Sequence, residues 1–220
     1  MTAAEHLSDR LAVHVVDAHL TYPGWSEGGL SRTMVAEAVS HLRQLGDTVT
    51  LTTVEHPYDP DREVQRYLDS DVVILQTPIN WFGAPWIFKR YLDDVFNAGL
   101  HSKKLLDNDG RTRSDPGRQY GTGGHMHGRG FLLSTTWNAP AEAFGDPDGL
   151  LFAGKTVEDL LLGISANYRF VGFEVLDHYS VHDIYRAGNV KSGIEDYGAH
   201  LDRQLTGLRS QRIRTARALE

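Results

Sequence analysis

The sequence predicts an α/β domain built on a doubly wound parallel sheet, and three observations carry that expectation. Short apolar runs rich in Val, Ile, Leu and Thr recur along the chain at five places. Segments with apolar residues at helical spacing separate them, the alternation of a βαβ arrangement. The clearest run, residues 71–76 (DVVILQ), lacks in-out alternation, as expected of a strand covered on both faces.

The elements follow in order. Residues 11–17 (LAVHVVD) read as the first strand, and a Gly- and Ser-bearing loop leads to a helix from about 30 to 45 that Gly46 ends. Residues 48–54 (TVTLTTV) are β-branched and read as strand two; 61–68 reads as helical. Strand three at 71–76 precedes a helix over 86–97. Strand four is placed at 131–135, a helix at 156–166, strand five at 173–181 and a final helix from 195 to about 208. Between the third helix and strand four, residues 101–130 are dense in Gly, Asp and Arg. So long a loop in a compact domain is functional or disordered. Tyr120, set between small residues on the approach to strand four, favours function.

Composition bounds the rest. The 220 residues suffice for one domain spanning 1–220, with its core at about 11–208. With no cysteine, disulfides, thiolate catalysis and cysteine-bound metal are excluded. The formal net charge of -7 argues against nucleic acid or an acidic membrane surface as partner. The start, Met1 to Arg10, is polar and no apolar stretch reaches membrane-spanning length, so a cytoplasmic protein without an integral membrane segment is expected.

Three loops follow strands one, three and four, and a doubly wound sheet brings such loops to one edge, where ligands bind. The first contains Trp25, Ser26, Glu27, Gly28, Gly29, Leu30 and Ser31. Glycines there let backbone approach a ligand, and a helix N-terminus offers free N–H groups to phosphate; an ordinary N-cap and turn fits equally. The second runs Thr77, Pro78, Ile79, Asn80, Trp81, Phe82, Gly83. Its two aromatics offer a stacking surface or roof the core. The third carries Thr136, Trp137, Asn138, Ala139 and, further on, Phe144. Its amides suit the polar edge of a heterocycle, or cap the next helix.

Other features read as structural. His125 and His127 lack the helical spacing or carboxylate of a metal site, and no metal is expected. No Gly-x-Ser-x-Gly elbow supplies a hydrolase nucleophile. Asp93–Asp94 reads as a helix-surface pair, and the run Arg209, Arg212, Arg214, Arg217 as a solvated helical tail.

Taken together, the loops resemble a known family. Gly83-Ala84-Pro85-Trp86, residues 89–96 (KRYLDDVF), 109–113 (DGRTR), 120–124 (YGTGG) and 136–140 (TWNAP) are similar, in order and spacing, to the modulator of drug activity B group of flavodoxin-like NAD(P)H:quinone oxidoreductases. The resemblance implies a five-stranded parallel sheet in order 2-1-3-4-5 with helices on both faces, non-covalent FAD rather than FMN, and a homodimer. It implies that Ser26, Gly28, Gly29, Leu30 and Ser31 hold the flavin phosphates. Pro78, Ile79, Asn80, Trp81 and Phe82 would line the isoalloxazine. Tyr120 would touch the flavin or wall the pocket, and Thr136, Trp137, Asn138 and Ala139 would border the ring's polar edge. Trp81, Phe82 and Phe144 would form the substrate pocket.

The implied reaction is a two-electron ping-pong hydride transfer from NAD(P)H through the flavin to a quinone, with protein supplying position and electrostatics. Amides near Asn138 would steady negative charge, and Tyr120 or a nearby His would donate a proton. An azo- or nitroreductase, a flavin-binding electron carrier and a binding protein on the same fold are the alternatives. The loop after strand three reads Ile79-Asn80 where close relatives carry Gly-Trp, which implies a reshaped pocket.

Overall fold

The computed structural model describes residues 9–218. Strands β1 (Ala12–Asp17), β2 (Thr48–Thr53), β3 (Val72–Pro78) and β4 (Gly130–Thr136) pair in parallel. The sheet order is β2-β1-β3-β4, and the fifth position is shared by β5 (Glu174–Val175) and β6 (Tyr179–Val181). This is the order 2-1-3-4-5 that the resemblance implies.

The fifth strand departs from the single run expected over 173–181. Glu174–Val175 pairs with Gly130–Phe131, and Tyr179–Val181 pairs with Ser134–Thr136. Residues 176–178 therefore face only 132–133, an inserted residue that splits the strand as a β-bulge does. An apolar run cannot report this, because pairing with β4 sets the register.

Side-chain alternation along each strand divides the core. Val13 and Val15 of β1, Val72 and Ile74 of β3, and Leu132 of β4 face one side. There they meet Met34, Ala38 and Leu42 of α1 (Gly29–Gln44) and Tyr197, Leu201 and Leu205 of α6 (Ala187–Ala218). Val16, Val73, Leu75, Phe131 and Leu133 face the other side. They bury Val64 and Tyr67 of α2 (Pro60–Asp69) and Phe88, Tyr91 and Val95 of α3 (Trp86–His101). Both faces are thus dry, which explains the unbroken apolar reading of β3.

Local signals set most helix ends. Asp59 caps α2 by accepting from Asp61 N at 2.9 Å, and Pro60 occupies the first turn, where a missing N–H costs nothing. The helix expected over 156–166 is two: α4 (Val157–Leu160), opened by a reciprocal Thr156–Asp159 capping box, and α5 (Leu162–Phe170), with Leu161 turning between them. The last helix starts two turns before residue 195. Its basic residues are not a solvated tail where described. Arg209 donates to Asp47 Oδ1 at 2.7 Å and Arg212 to Asp71, tying α6 to the lower edge of the sheet. The side chains of Arg214 and Arg217 lie outside the described residues.

The long segment after α3 is anchored. Leu105 and Met126 are fully buried, His125 N donates to Leu105 O at 2.8 Å, and Met126 N donates to Val171 O at 2.9 Å. A Cβ on Gly124 would come within 2.1 Å of the Val171 backbone and one on Gly123 within 2.1 Å of Asn108 O, so these two glycines serve close backbone packing. Asp93 pairs with Lys89, and Asp94 accepts from Tyr58 at 2.7 Å; both are surface partners of α3. Among the described residues no helix is long and apolar enough to cross a membrane.

Candidate functional site

At the carboxyl ends of β1, β3, β4 and β6 the loops enclose a cavity of about 850 Å³, within the size range of small-molecule and cofactor pockets. The three loops singled out from sequence meet here. Ser26, Gly28, Gly29, Leu30 and Ser31 line it, as do Pro78, Ile79, Asn80 and Trp81, with Thr136 and Asn138.

The first wall is the start of α1. Gly28 occupies its N-cap position in the left-handed region (φ 72), no side chain caps the helix, and its first turn carries no acidic residue. Free N–H groups at the positive end of a 16-residue helix suit an anion. Gly28 is required for a second reason. His19 packs against it, and a Cβ on Gly28 would sit 2.3 Å from His19 Cε1. His19 is buried, its Nε2 has no hydrogen-bond partner among the described residues, and burial lowers its pKa. The imidazole thus holds an unused polar atom beside the cradle.

The second wall is a tight turn from Asn80 to Gly83. Asn80 N donates to Gly83 O at 2.8 Å and Gly83 N to Asn80 O at 3.2 Å. Trp81 and Phe82 occupy its two central positions with φ 50 and φ 65. Such a turn normally takes Asn-Gly, and bulky residues there carry about 1–2 kcal/mol of strain each. The strain leaves Trp81 90% exposed at the cavity. Loops that hold strained aromatics in solvent at a cavity mouth point to ligand contact.

The third wall comes from β4, and its anchor is internal. Trp137 is buried, its indole donating to Thr135 Oγ1 at 2.8 Å and its ring meeting Phe144 edge-on at 5.0 Å. Trp137 N donates to Val181 O and Ile184 N to Trp137 O. Trp137 thus pins the loops after β4 and β6 and does not line the cavity. Phe82, Ala139 and Phe144 are also absent from the lining; Phe82 and Phe144 pack on Phe152. Tyr120 lies elsewhere, tilted on Phe170 at 5.3 Å with the Arg111 guanidinium 5.2 Å from its ring.

Sequence reasoning missed His19, Ile184 and Tyr185, all of which line the cavity. The signal for the last two was available: they follow the fifth strand, and every strand's carboxyl end feeds such a site. His19 offered no local signal.

Beneath the cavity floor lies a buried polar row. Asp17, Gln76 and Ser134 are register partners across β1, β3 and β4, two residues below Pro78 and Thr136, which line the cavity. Among the described residues, Asp17 Oδ1 and both amide atoms of Gln76 have no hydrogen-bond partner. Burial raises the Asp17 carboxyl to about 6, against a lowering by the His19 N–H and by Arg32.

Residues 11–205 match the Flavodoxin_2 family, described as a flavodoxin-like fold. The NADPH:quinone oxidoreductase MdaB of Haemophilus influenzae is 37% identical over 180 residues, 82% of this chain and 92% of that protein. Two solved structures are similar. One, offered as a candidate quinone reductase of Klebsiella pneumoniae, has a TM-score of 0.70 at 22% identity, covering 87% of this chain and 84% of that one. The other is general stress protein 14 of Treponema denticola in complex with FMN, with a TM-score of 0.61 at 22% identity over 88% of this chain and 99% of that one. These two likenesses concern the fold.

Proposed function

The chain belongs to the flavodoxin-like Flavodoxin_2 family, and on that premise we propose that it is a flavin-dependent NAD(P)H:quinone oxidoreductase that binds FAD and acts as a homodimer. The observation that carries this reading is one cavity that joins an uncapped helix N-terminus to a strained aromatic turn. The extent and level of identity to an NADPH:quinone oxidoreductase support it.

The residues present fit a flavin. The orphaned Nε2 of His19 and the backbone of 28–31 suit its phosphates, and the lack of a side chain at Gly28 lets His19 pack beside them. Trp81 and Ile79 offer flat and apolar surface to a tricyclic ring, and Thr136 and Asn138 offer polar contacts to its edge. When bound, a flavin accepts two electrons from a nicotinamide and passes them to an acceptor.

The chain's own part is binding and placement. The cradle fixes the anionic end. The turn at Asn80–Gly83 holds Trp81 against the cavity and narrows access to it. Backbone and side-chain donors at Thr136 and Asn138 favour negative charge on the ring's polar edge. No side chain serves as nucleophile. Because donor and acceptor share one cavity, kinetics are ping-pong. Leu150, Leu151 and Leu162 are exposed apolar residues that a second copy would cover.

The test is the visible spectrum of the purified protein, before and after anaerobic NADPH or NADH. Flavin bands that bleach in one two-electron step and recover on adding a quinone are the expected result. Bands that neither nucleotide bleaches indicate an electron carrier. A protein that is colourless and binds neither FAD nor FMN overturns the proposal.

A further inference from the structure

The cavity carries four aromatic groups that the flavin-ring and quinone contacts leave unused, Tyr22, Trp25, Trp86 and Tyr185, and Trp25 is the most exposed of them. Trp25 lines it and is 87% exposed. An indole so exposed at a cavity offers a flat face free to stack on a ligand.

Its backbone is fixed even though its ring is free. Tyr22 and Ser26 close a short bridge: Tyr22 N donates to Ser26 O at 2.9 Å and Ser26 N to Tyr22 O at 2.8 Å. Trp25 N donates to Tyr22 O at 3.0 Å. Gly24 takes the left-handed conformation the turn needs (φ 74), and its N–H is held by Glu27 Oε1 at 2.7 Å. The turn therefore presents the indole from a defined base, at low entropic cost to a ligand.

Position says which ligand group it meets. Trp25 is the residue before Ser26, where the phosphate cradle begins. The strands run β1-β3-β4-β6 across the cavity. The ring contacts Ile79, Asn80, Trp81, Thr136 and Asn138 follow β3 and β4, whereas Trp25 belongs to the loop after β1, at the outer end of that series. A mononucleotide whose ring lies over β3 and β4 and whose phosphate lies on the cradle ends at the cradle. A dinucleotide continues past its phosphates into a second planar base.

We propose that Trp25 stacks on the adenine of a flavin dinucleotide, and so is the residue that makes this cavity select FAD over FMN. The inference rests on the flavin reading above. Indole–base stacking is sequence-tolerant and strong enough to read as affinity. Glu27, whose carboxylate is engaged by the Gly24 N–H, holds the turn and needs no contact with the base.

The experiment compares FAD and FMN binding to apo-protein by calorimetry or flavin-fluorescence quenching, for the unaltered chain, Trp25→Ala and Trp25→Phe. Trp25 is exposed, so neither variant removes core packing. The expected result is that Trp25→Ala weakens FAD about tenfold, equivalent to about 1.4 kcal/mol, leaves FMN within about twofold, and that Trp25→Phe retains most of the FAD affinity. Equal weakening of both flavins overturns the proposal, because Trp25 would then serve the shared half of the ligand. So does unchanged FAD affinity in Trp25→Ala. Failure of the unaltered protein to bind either flavin is a different result and overturns the flavin reading itself.

Discussion

The imidazole of His19 occupies the space that a side chain on Gly28 would require, with 2.3 Å between the Gly28 Cβ position and His19 Cε1. One residue leaves the first strand, the other opens the first helix, and their contact sets the imidazole beside the helix N-terminus. Gly28→Ala meets both the clash and the left-handed backbone (φ 72). It is expected to destabilise the fold by about 1–3 kcal/mol and to abolish flavin binding. Removing the ring with His19→Ala in the same chain relieves the clash, so the double variant recovers part of the stability and none of the binding. Urea melts and flavin titration of the two single variants and the double variant check this as a cycle.

Trp81 invites the opposite trade. It is 90% exposed and held at φ 50, so it contributes strain and little packing. Trp81→Gly is expected to stabilise the free protein by about 0.5–1 kcal/mol, the relief of a left-handed non-glycine residue less the entropy that glycine adds to the unfolded chain. The same variant is expected to bind flavin at least about tenfold more weakly, a loss of about 1.4 kcal/mol or more. A loss of stability with unchanged flavin affinity would show that the turn serves the fold alone.

Two buried groups give opposing pH dependences. Burial, helped by Arg66, lowers His14 from 6.5 to about 3. The unfolded chain then binds the extra proton, so stability falls as pH drops from 6.5 towards 3. Burial raises Asp17 from 3.8 to about 6. Here the folded chain holds the extra proton, so stability falls as pH rises from 3.8 to 6 and stays low above it. The slopes oppose each other over most of that range. Asp17→Asn is expected to raise stability at pH 7 and to steepen the acid loss below pH 6. Thermal melts from pH 4 to 7 would show it, and an unchanged profile would place Asp17 in contact with water.

Glu63 tests the other face of the sheet. It is buried on α2 and accepts from Tyr91 at 2.8 Å, Thr52 at 2.7 Å and Arg66 at 2.7 Å. Tyr91→Phe removes one donor to a buried carboxylate and is expected to cost about 1.5–3 kcal/mol without altering flavin affinity. Denaturant midpoints measure the first and titration the second. A change in flavin affinity would connect this network to the cavity.

Much of the site was legible because it is made of contiguous loop residues. Ser26 to Ser31 and Pro78 to Trp81 reach the cavity as segments, since each directly follows a strand or opens a helix. Trp137, Phe144 and Tyr120, expected at the flavin or substrate pocket, do not line this cavity. Trp137 faces the core because β4 needs an anchor for two loops, and Phe144 stacks on Phe152 at 4.6 Å. Tyr120, which the resemblance implied at the flavin, rests on Phe170 outside this cavity.

By itself the sequence determined the alternation of strand and helix, the dry character of β3 and the glycine stop of the first helix at Gly46. Those depend on neighbours a few residues apart, through side-chain periodicity, capping and the freedom of glycine. Only the tertiary structure decided the split in the fifth strand, the Arg209–Asp47 anchor and the company of His19, Tyr185 and Trp25 around one cavity. These are relations between residues far apart in the chain, fixed by strand register and packing, and local pattern carries no record of them.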